Sequence, residues 1–169
     1  MPIVASDIKF HLSGGAANAD ANASLGGIIS STVIVDASLH NLFDVVSGDE
    51  AAAGDIEYRC FYVKNNHATL AMQNTKIWVQ SESASADSDE LIGLGSSAIG
   101  ATEQTVTDES TAPTSVIFSQ ANLEANALVI GNIPAQSTMA VWVRRDITAA
   151  ASAVNSDQTT IRVKCETAA

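Results

Sequence analysis

The most hydrophobic segments of this chain alternate apolar and polar residues with a period of two, and that alternation constrains the fold more than any other feature. It is clearest in residues 56–64 (IEYRCFYVK), 70–80 (LAMQNTKIWVQ) and 139–147 (MAVWVRRDI). A helix would scatter these apolar positions around its circumference, whereas a strand gathers them on one face. Further strand signals lie at residues 8–12, 32–35, 91–94, 104–107, 115–119, 128–130 and 159–164, separated at close intervals by turn residues. No amphipathic helices lie between them to build parallel crossovers. The expected fold is therefore all-β, a single antiparallel β-sandwich, immunoglobulin-like or jelly-roll-like, with long loops. Asn65-Asn66-His67 has turn chemistry, which predicts that 56–64 and 70–80 form a central antiparallel pair. One short helix is expected after Ser47, where Ser47 and Glu50 have capping-box spacing and Ala51 to Ala53 lead to Gly54.

At 169 residues the chain has the length of one domain, 1–169, with enough buried surface to need no staple. Residues 13–31 stand apart from the strand pattern. They are bracketed by Gly14-Gly15 and Gly26-Gly27, are rich in Ala and Asn, and show no hydrophobic period. Loops this long inside a compact domain usually serve a function. The segment reads as an N-terminal arm that contacts a neighbouring subunit, or as a surface loop, and in either case as dispensable to the sandwich. Cys60 and Cys165 lie far apart in sequence within apolar strand patterns and match no zinc spacing, so both are expected as buried free thiols.

Charge narrows the partners. Eight Lys and Arg against 19 Asp and Glu give a net charge of -11, which disfavours nucleic acid and anionic membrane surfaces. The N-terminal residues carry no basic region or apolar run of a secretory signal, so folding in a cytoplasm is expected. The longest uncharged stretch, 125–143, contains Asn126, Gly131, Asn132, Pro134, Gln136 and Ser137, too polar to span a bilayer.

Catalytic and ligand chemistry finds little support. His11 falls in a strand, His40 before Leu42-Phe43 and His67 in a turn, none in a catalytic motif. No phosphate loop or dinucleotide fingerprint occurs, and no cofactor is expected. Asn18, Asp20, Asn22 and Ser24 alternate oxygen side chains as a calcium loop does, but Ala23 and Ile29 stand where an EF-hand needs Gly and Glu. No metal site is expected. Asp87-Ser88-Asp89-Glu90 and Asp108-Glu109 read as solvated acidic loops. The candidate interface residues, besides the four glycines, are Trp78, Trp142, Arg144 and Arg145. The tryptophans lie in alternating strands and read first as core residues, with a partner surface as the alternative because Trp is enriched at binding hot spots. Arg144 and Arg145 must point to opposite faces of their strand, towards nearby acids or an acidic partner.

Taken together, the segments LSGGAANADANASLGG, GDIEYRCFYVKNN, KIW and NIPAQSTMAVWVRR resemble a family of small virion structural proteins of tailed bacteriophages, over nearly the whole chain. The resemblance implies a non-enzymatic protein of the particle, assembled in the bacterial host cytoplasm and located in the virion. Within that class it implies a capsid decoration or cement protein that binds the major capsid protein and itself, as a homo-oligomer. A tail-associated module, whether adaptor, tail or fibre component, is the alternative role. A carbohydrate-binding sandwich is a further one, to be recognised by exposed aromatic rings beside acidic loops.

Overall fold

A computed structural model describes residues 2–167. The strands are β1 (Ile8–Leu12), β2 (Asp55–Asn65), β3 (Met72–Ser81), β4 (Ser88–Leu94), β5 (Leu128–Ile133), β6 (Thr138–Ile147) and β7 (Thr160–Thr167), with one α-helix, α1 (Gly48–Ala53). They form two antiparallel sheets, a four-stranded one in the order β1-β2-β6-β4 and a three-stranded one in the order β5-β3-β7. The all-β sandwich follows from the alternation. α1 has the capping box its sequence encodes, with Ser47 and Glu50 satisfying each other's backbone N–H groups and Gly54 closing it at φ 80°. Among the described residues no helix is long and apolar enough to cross a membrane.

Facing residues of an antiparallel ladder share one side of the sheet. The register therefore sorts the side chains. Phe61 opposite Val141, Val63 opposite Met139 and Ile92 opposite Val143 face the small sheet. There they meet Met72, Ile77, Val79 and Ile133, all at 0% exposure, in the main core. The alternate residues Tyr58, Cys60, Tyr62, Ala140 and Trp142 point the other way, where a simple sandwich would meet water. They are buried as well, in a second core closed by Leu25, Ile29, Val106, Val116 and Phe118 from the long loops. This is why residues 57–63 are buried without a break. A strand covered on both faces loses the polar half of its alternation.

The expected pairing of 56–64 with 70–80 does not occur. β2 pairs with β1 and β6, while β3 belongs to the other sheet, between β5 and β7. Asn65 is the reason. Its side chain is fully buried and donates to the carbonyls of Leu70 (2.8 Å), Ile133 (3.0 Å) and Pro134 (3.2 Å), while its Oδ1 accepts from His67 N–H (3.0 Å). Asn65 thus ties the corner across the layers, and residues 66–71 carry the chain from one sheet to the other. The expected strands at 32–35, 104–107 and 115–119 are reduced to single bridges, Val33 with His11, Thr105 with Gly26 and Ser119 with Ile92. Each segment meets only a short stretch of partner backbone, so no ladder propagates. Cys60 lies in the second core and Cys165 against the main core, on opposite sides of the four-stranded sheet, and both are free thiols.

Candidate functional site

The glycine-bracketed segment folds back onto its own chain. Beyond the end of β1 the edge of β2 is unpaired, and the segment supplies the missing acceptor, since Cys60 N–H donates to Ser24 O (2.7 Å). Ser13 Oγ donates to Cys60 O (2.8 Å) and accepts from Gly26 N–H (3.0 Å). Gly27 N–H donates to Gln104 O (3.1 Å), and Val106 N–H to Leu25 O (3.0 Å). Gly14, Gly15, Gly26 and Gly27 all have positive φ. At Gly26 the need for glycine is twofold, because a Cβ would lie 1.9 Å from Gln104 O. Residues 13–31 therefore form a packed cover over β2, with Ser13, Ser24 and Ser30 buried, in place of an extended arm. The sequence concealed this because backbone groups make the attachment and leave no hydrophobic period.

Glu103 anchors the same cover. Its carboxylate, 3% exposed, accepts from Ser96 N–H (3.2 Å), Ser96 Oγ (3.1 Å), Ser97 N–H (2.9 Å), Ser97 Oγ (2.6 Å), Gln104 Nε2 (3.2 Å) and, more weakly, Trp142 Nε1 (3.4 Å). Its N–H donates to Tyr62 Oη (3.0 Å), whose hydroxyl donates to Gly27 O (2.6 Å). Burial alone would raise the Glu103 pKa. The donors of Ser97, Gln104 and Ser96 outweigh it and hold the value at about 2. Tyr62 is pushed the other way by burial, up to about 12. Ionised Glu103 thus binds two loops to the outer face of the sheet.

At one end of the sandwich lies a second polar group, built on Glu57 and Arg59 of β2 and Arg145 of β6. Arg145 Nε donates to Glu57 Oε2 (2.6 Å), and its Nη1 to Asp44 O (3.0 Å). Arg59, fully buried, pairs with Glu109. Both guanidinium groups stack on Phe43, at 4.6 Å for Arg145 and 5.6 Å for Arg59. Burial raises the Glu57 pKa, and Arg145 offsets that only in part. Asp44, Glu57 and Glu109 each place a carboxylate oxygen within 4.8 Å of the others, the spacing a metal ion would need. Two guanidinium groups already hold that space, so the arrangement is an ion-pair network that fastens the 41–45 loop to the sheet.

The remaining candidates divide between the two sides of the strands. Arg144 and Arg145 do point to opposite faces. Arg145 is 9% exposed within the network, while Arg144 pairs with Asp146 (2.6 Å) and keeps 30% of its side chain exposed. Trp78 and Trp142 are 5% and 0% exposed, so both rings belong to the interior of this chain and not to an interface. His11 is buried with Nδ1 2.9 Å from Ser30 O, and burial lowers its pKa. His67 uses its ring nitrogen as a turn acceptor for Thr69 and Leu70 N–H. The acidic loops are only partly solvated. Glu90 is buried and accepts from Ser88 and Thr159, and Glu109 faces Arg59. Sequence reasoning missed Glu103, whose nearby donors Ser96, Ser97 and Gln104 form no recognised motif with it, and the Glu57–Arg145 pair, whose partners lie 88 residues apart.

One exposed apolar surface was not foreseen. Val33, Val35 and Leu39 are 40%, 65% and 72% exposed. With residues Ala19 and Ala21 they line a shallow groove of about 180 Å³. The segment is held in place: Leu12 N–H donates to Thr32 O, Ile34 N–H to Phe10 O and Asn41 Nδ2 to Val35 O. Comparison with known proteins finds no matching family model, no matching curated protein and no matching solved structure.

Proposed function

We propose that this chain is a structural protein of a tailed-bacteriophage virion, of the capsid decoration or cement kind, which binds the major capsid lattice. The reading starts from the sequence resemblance. The structural observation that carries it is the ordered apolar surface formed by Val33, Val35 and Leu39. An exposed apolar cluster marks a candidate interaction site, and the backbone bonds that tie residues 32–35 to β1 reduce the ordering cost of docking there. Elsewhere in the molecule, buried charged groups such as Glu103, Arg59 and Arg145 are engaged in fastening loops to the sheets. A rigid body with adaptable ordered loops suits a shell-covering protein that binds through many modest contacts. All the aromatic rings are buried or half-buried, which leaves the carbohydrate-binding reading without the stacking face it relies on.

The test is co-sedimentation with capsids that lack the native protein, using Leu39→Asp and Val35→Asp variants with unchanged melting curves. Burying an apolar side chain contributes about 1.5–3 kcal/mol, so each variant is expected to bind capsids at least about tenfold more weakly. Undiminished occupancy in both would remove this surface from the proposal.

A further inference from the structure

Sheet edges expose unpaired backbone N–H and C=O groups, and this sandwich treats its four edges differently. On β1, residues 30–34 cover the edge through bonds to Leu12 and Phe10. On β4, Ile92 and Ser119 exchange backbone bonds. The β5 edge is interrupted, with register shifts against β3 and Gly131 at φ 92°. By contrast β7 is eight residues long and contains neither Gly nor Pro. The irregularities of its ladder reside in β3, where Asn74 has φ 49°. Among the described residues no backbone hydrogen bond reaches its outer edge, and Ile3 N–H meets it only at the Thr167 side chain (3.2 Å). Beside that edge runs a groove of about 460 Å³, lined by Ile3, Ile8, Val163 and Cys165 among others.

We propose that β7 is a self-association edge, on which two copies of this chain pair antiparallel about a two-fold axis at Lys164 to give a continuous six-stranded sheet. Charge selects the second copy as the occupant and fixes the register. Arg162, Lys164 and Glu166 alternate on the exposed side of β7, and Ile161, Val163 and Cys165 on the half-buried side. Facing residues of a ladder share a side, so the axis of a symmetric pair passes through a residue. Centred on Val163, the pairing would set Arg162 against Lys164 of the second copy. Centred on Cys165, it would shorten to residues 163–167. Centred on Lys164, it runs over 161–167, places Arg162 opposite Glu166 twice, and brings Val163 beside Cys165 on the apolar side. Arg162 has no ion-pair partner among the described residues, and Glu166 accepts only from Asn74 Nδ2 (2.7 Å). The two Lys164 side chains that meet at the axis are each paired with their own Glu124. The contact is isologous, so it closes as a dimer and does not propagate as a fibre.

This inference is independent of the capsid reading, because it is tested on the purified full chain alone. Sedimentation equilibrium at low salt is expected to show a reversible dimer. Arg162→Glu, at an exposed side chain that makes no hydrogen bond or ion pair among the described residues of the monomer and acts only at longer range on Glu124, sets like charges opposite each other twice and should raise the dimer dissociation constant about tenfold or more. Glu166→Arg should do the same, and the double variant R162E/E166R should return the constant to within about threefold of the native value. Melting curves establish that each variant is folded, and Arg162→Glu alone decides if Glu166→Arg is not. A native chain monomeric up to about 0.5 mM, an oligomer indifferent to Arg162→Glu, or a double variant that fails to recover would each overturn the proposal.

Discussion

Glu103 shows how one ionised side chain can fasten whole loops. Its carboxylate is fully supplied with donors only while it is charged, and its pKa falls from the ordinary 4.5 to about 2. A folded-state pKa below the unfolded value gives stability that is complete above pH 4.5 and lost as the pH falls through 2. The size is roughly 3 kcal/mol. Glu103→Gln is therefore expected to cost about 2–3 kcal/mol at neutral pH, since an amide places donors against Ser97 N–H and cannot accept at both oxygens. Urea denaturation should show the native and variant midpoints converging as the pH drops from 5 towards 2. A constant gap would contradict the assignment. The Arg144-Arg145 doublet makes a similar contrast between neighbours. Arg145→Ala strands buried Glu57 and should cost about 3–5 kcal/mol, whereas Arg144→Ala loses a half-exposed pair with Asp146 and should cost less than about 1 kcal/mol.

Among the elements, strands and helix cap were legible because their signals are local: the alternation in β1, β2, β3 and β6, and the Ser47–Glu50 spacing of α1. Pairing was not legible. Asn65 looks like a hairpin turn residue in sequence, yet its amide bonds to Ile133 and Pro134 make it a crossing between layers. The cover formed by residues 13–31 escaped for a related reason. Its attachment uses Ser24 O, Gly27 N–H and the space left by an absent Cβ at Gly26, none of which sets up a hydrophobic period. The glycines consequently differ in importance. Gly26→Ala drives a Cβ into Gln104 O and should destabilise by about 2 kcal/mol or more, while Gly15→Ala meets no neighbouring atom and incurs only the cost of its φ of 119°, about 1 kcal/mol. Deleting residues 14–27 would uncover Tyr58, Cys60 and Trp142. The structure therefore predicts loss of cooperative unfolding, where the sequence alone suggested a sandwich that survives without its arm. Calorimetry of the three variants checks this order.

For the molecule as a whole, the sequence indicated a β-sandwich and a surface poor in cations, and the structure explains where the few cations go. Arg59 and Arg145 are internal, Arg144 answers Asp146, and Arg162 and Lys164 stand on the β7 edge. The exposed apolar surface at Val33, Val35 and Leu39 was illegible, because 32–35 reads as an ordinary strand until its single bridge to His11 leaves Val33 and Val35 outside beside Leu39. Where the protein sits on the particle decides the proposed role in decorating a phage head. In cryo-electron microscopy of virions, compared with particles lacking this protein, additional density of this sandwich's size is expected on the outside of the head, repeated with the symmetry of the capsid lattice. Density confined to the tail, or particles identical with and without the protein, would contradict it.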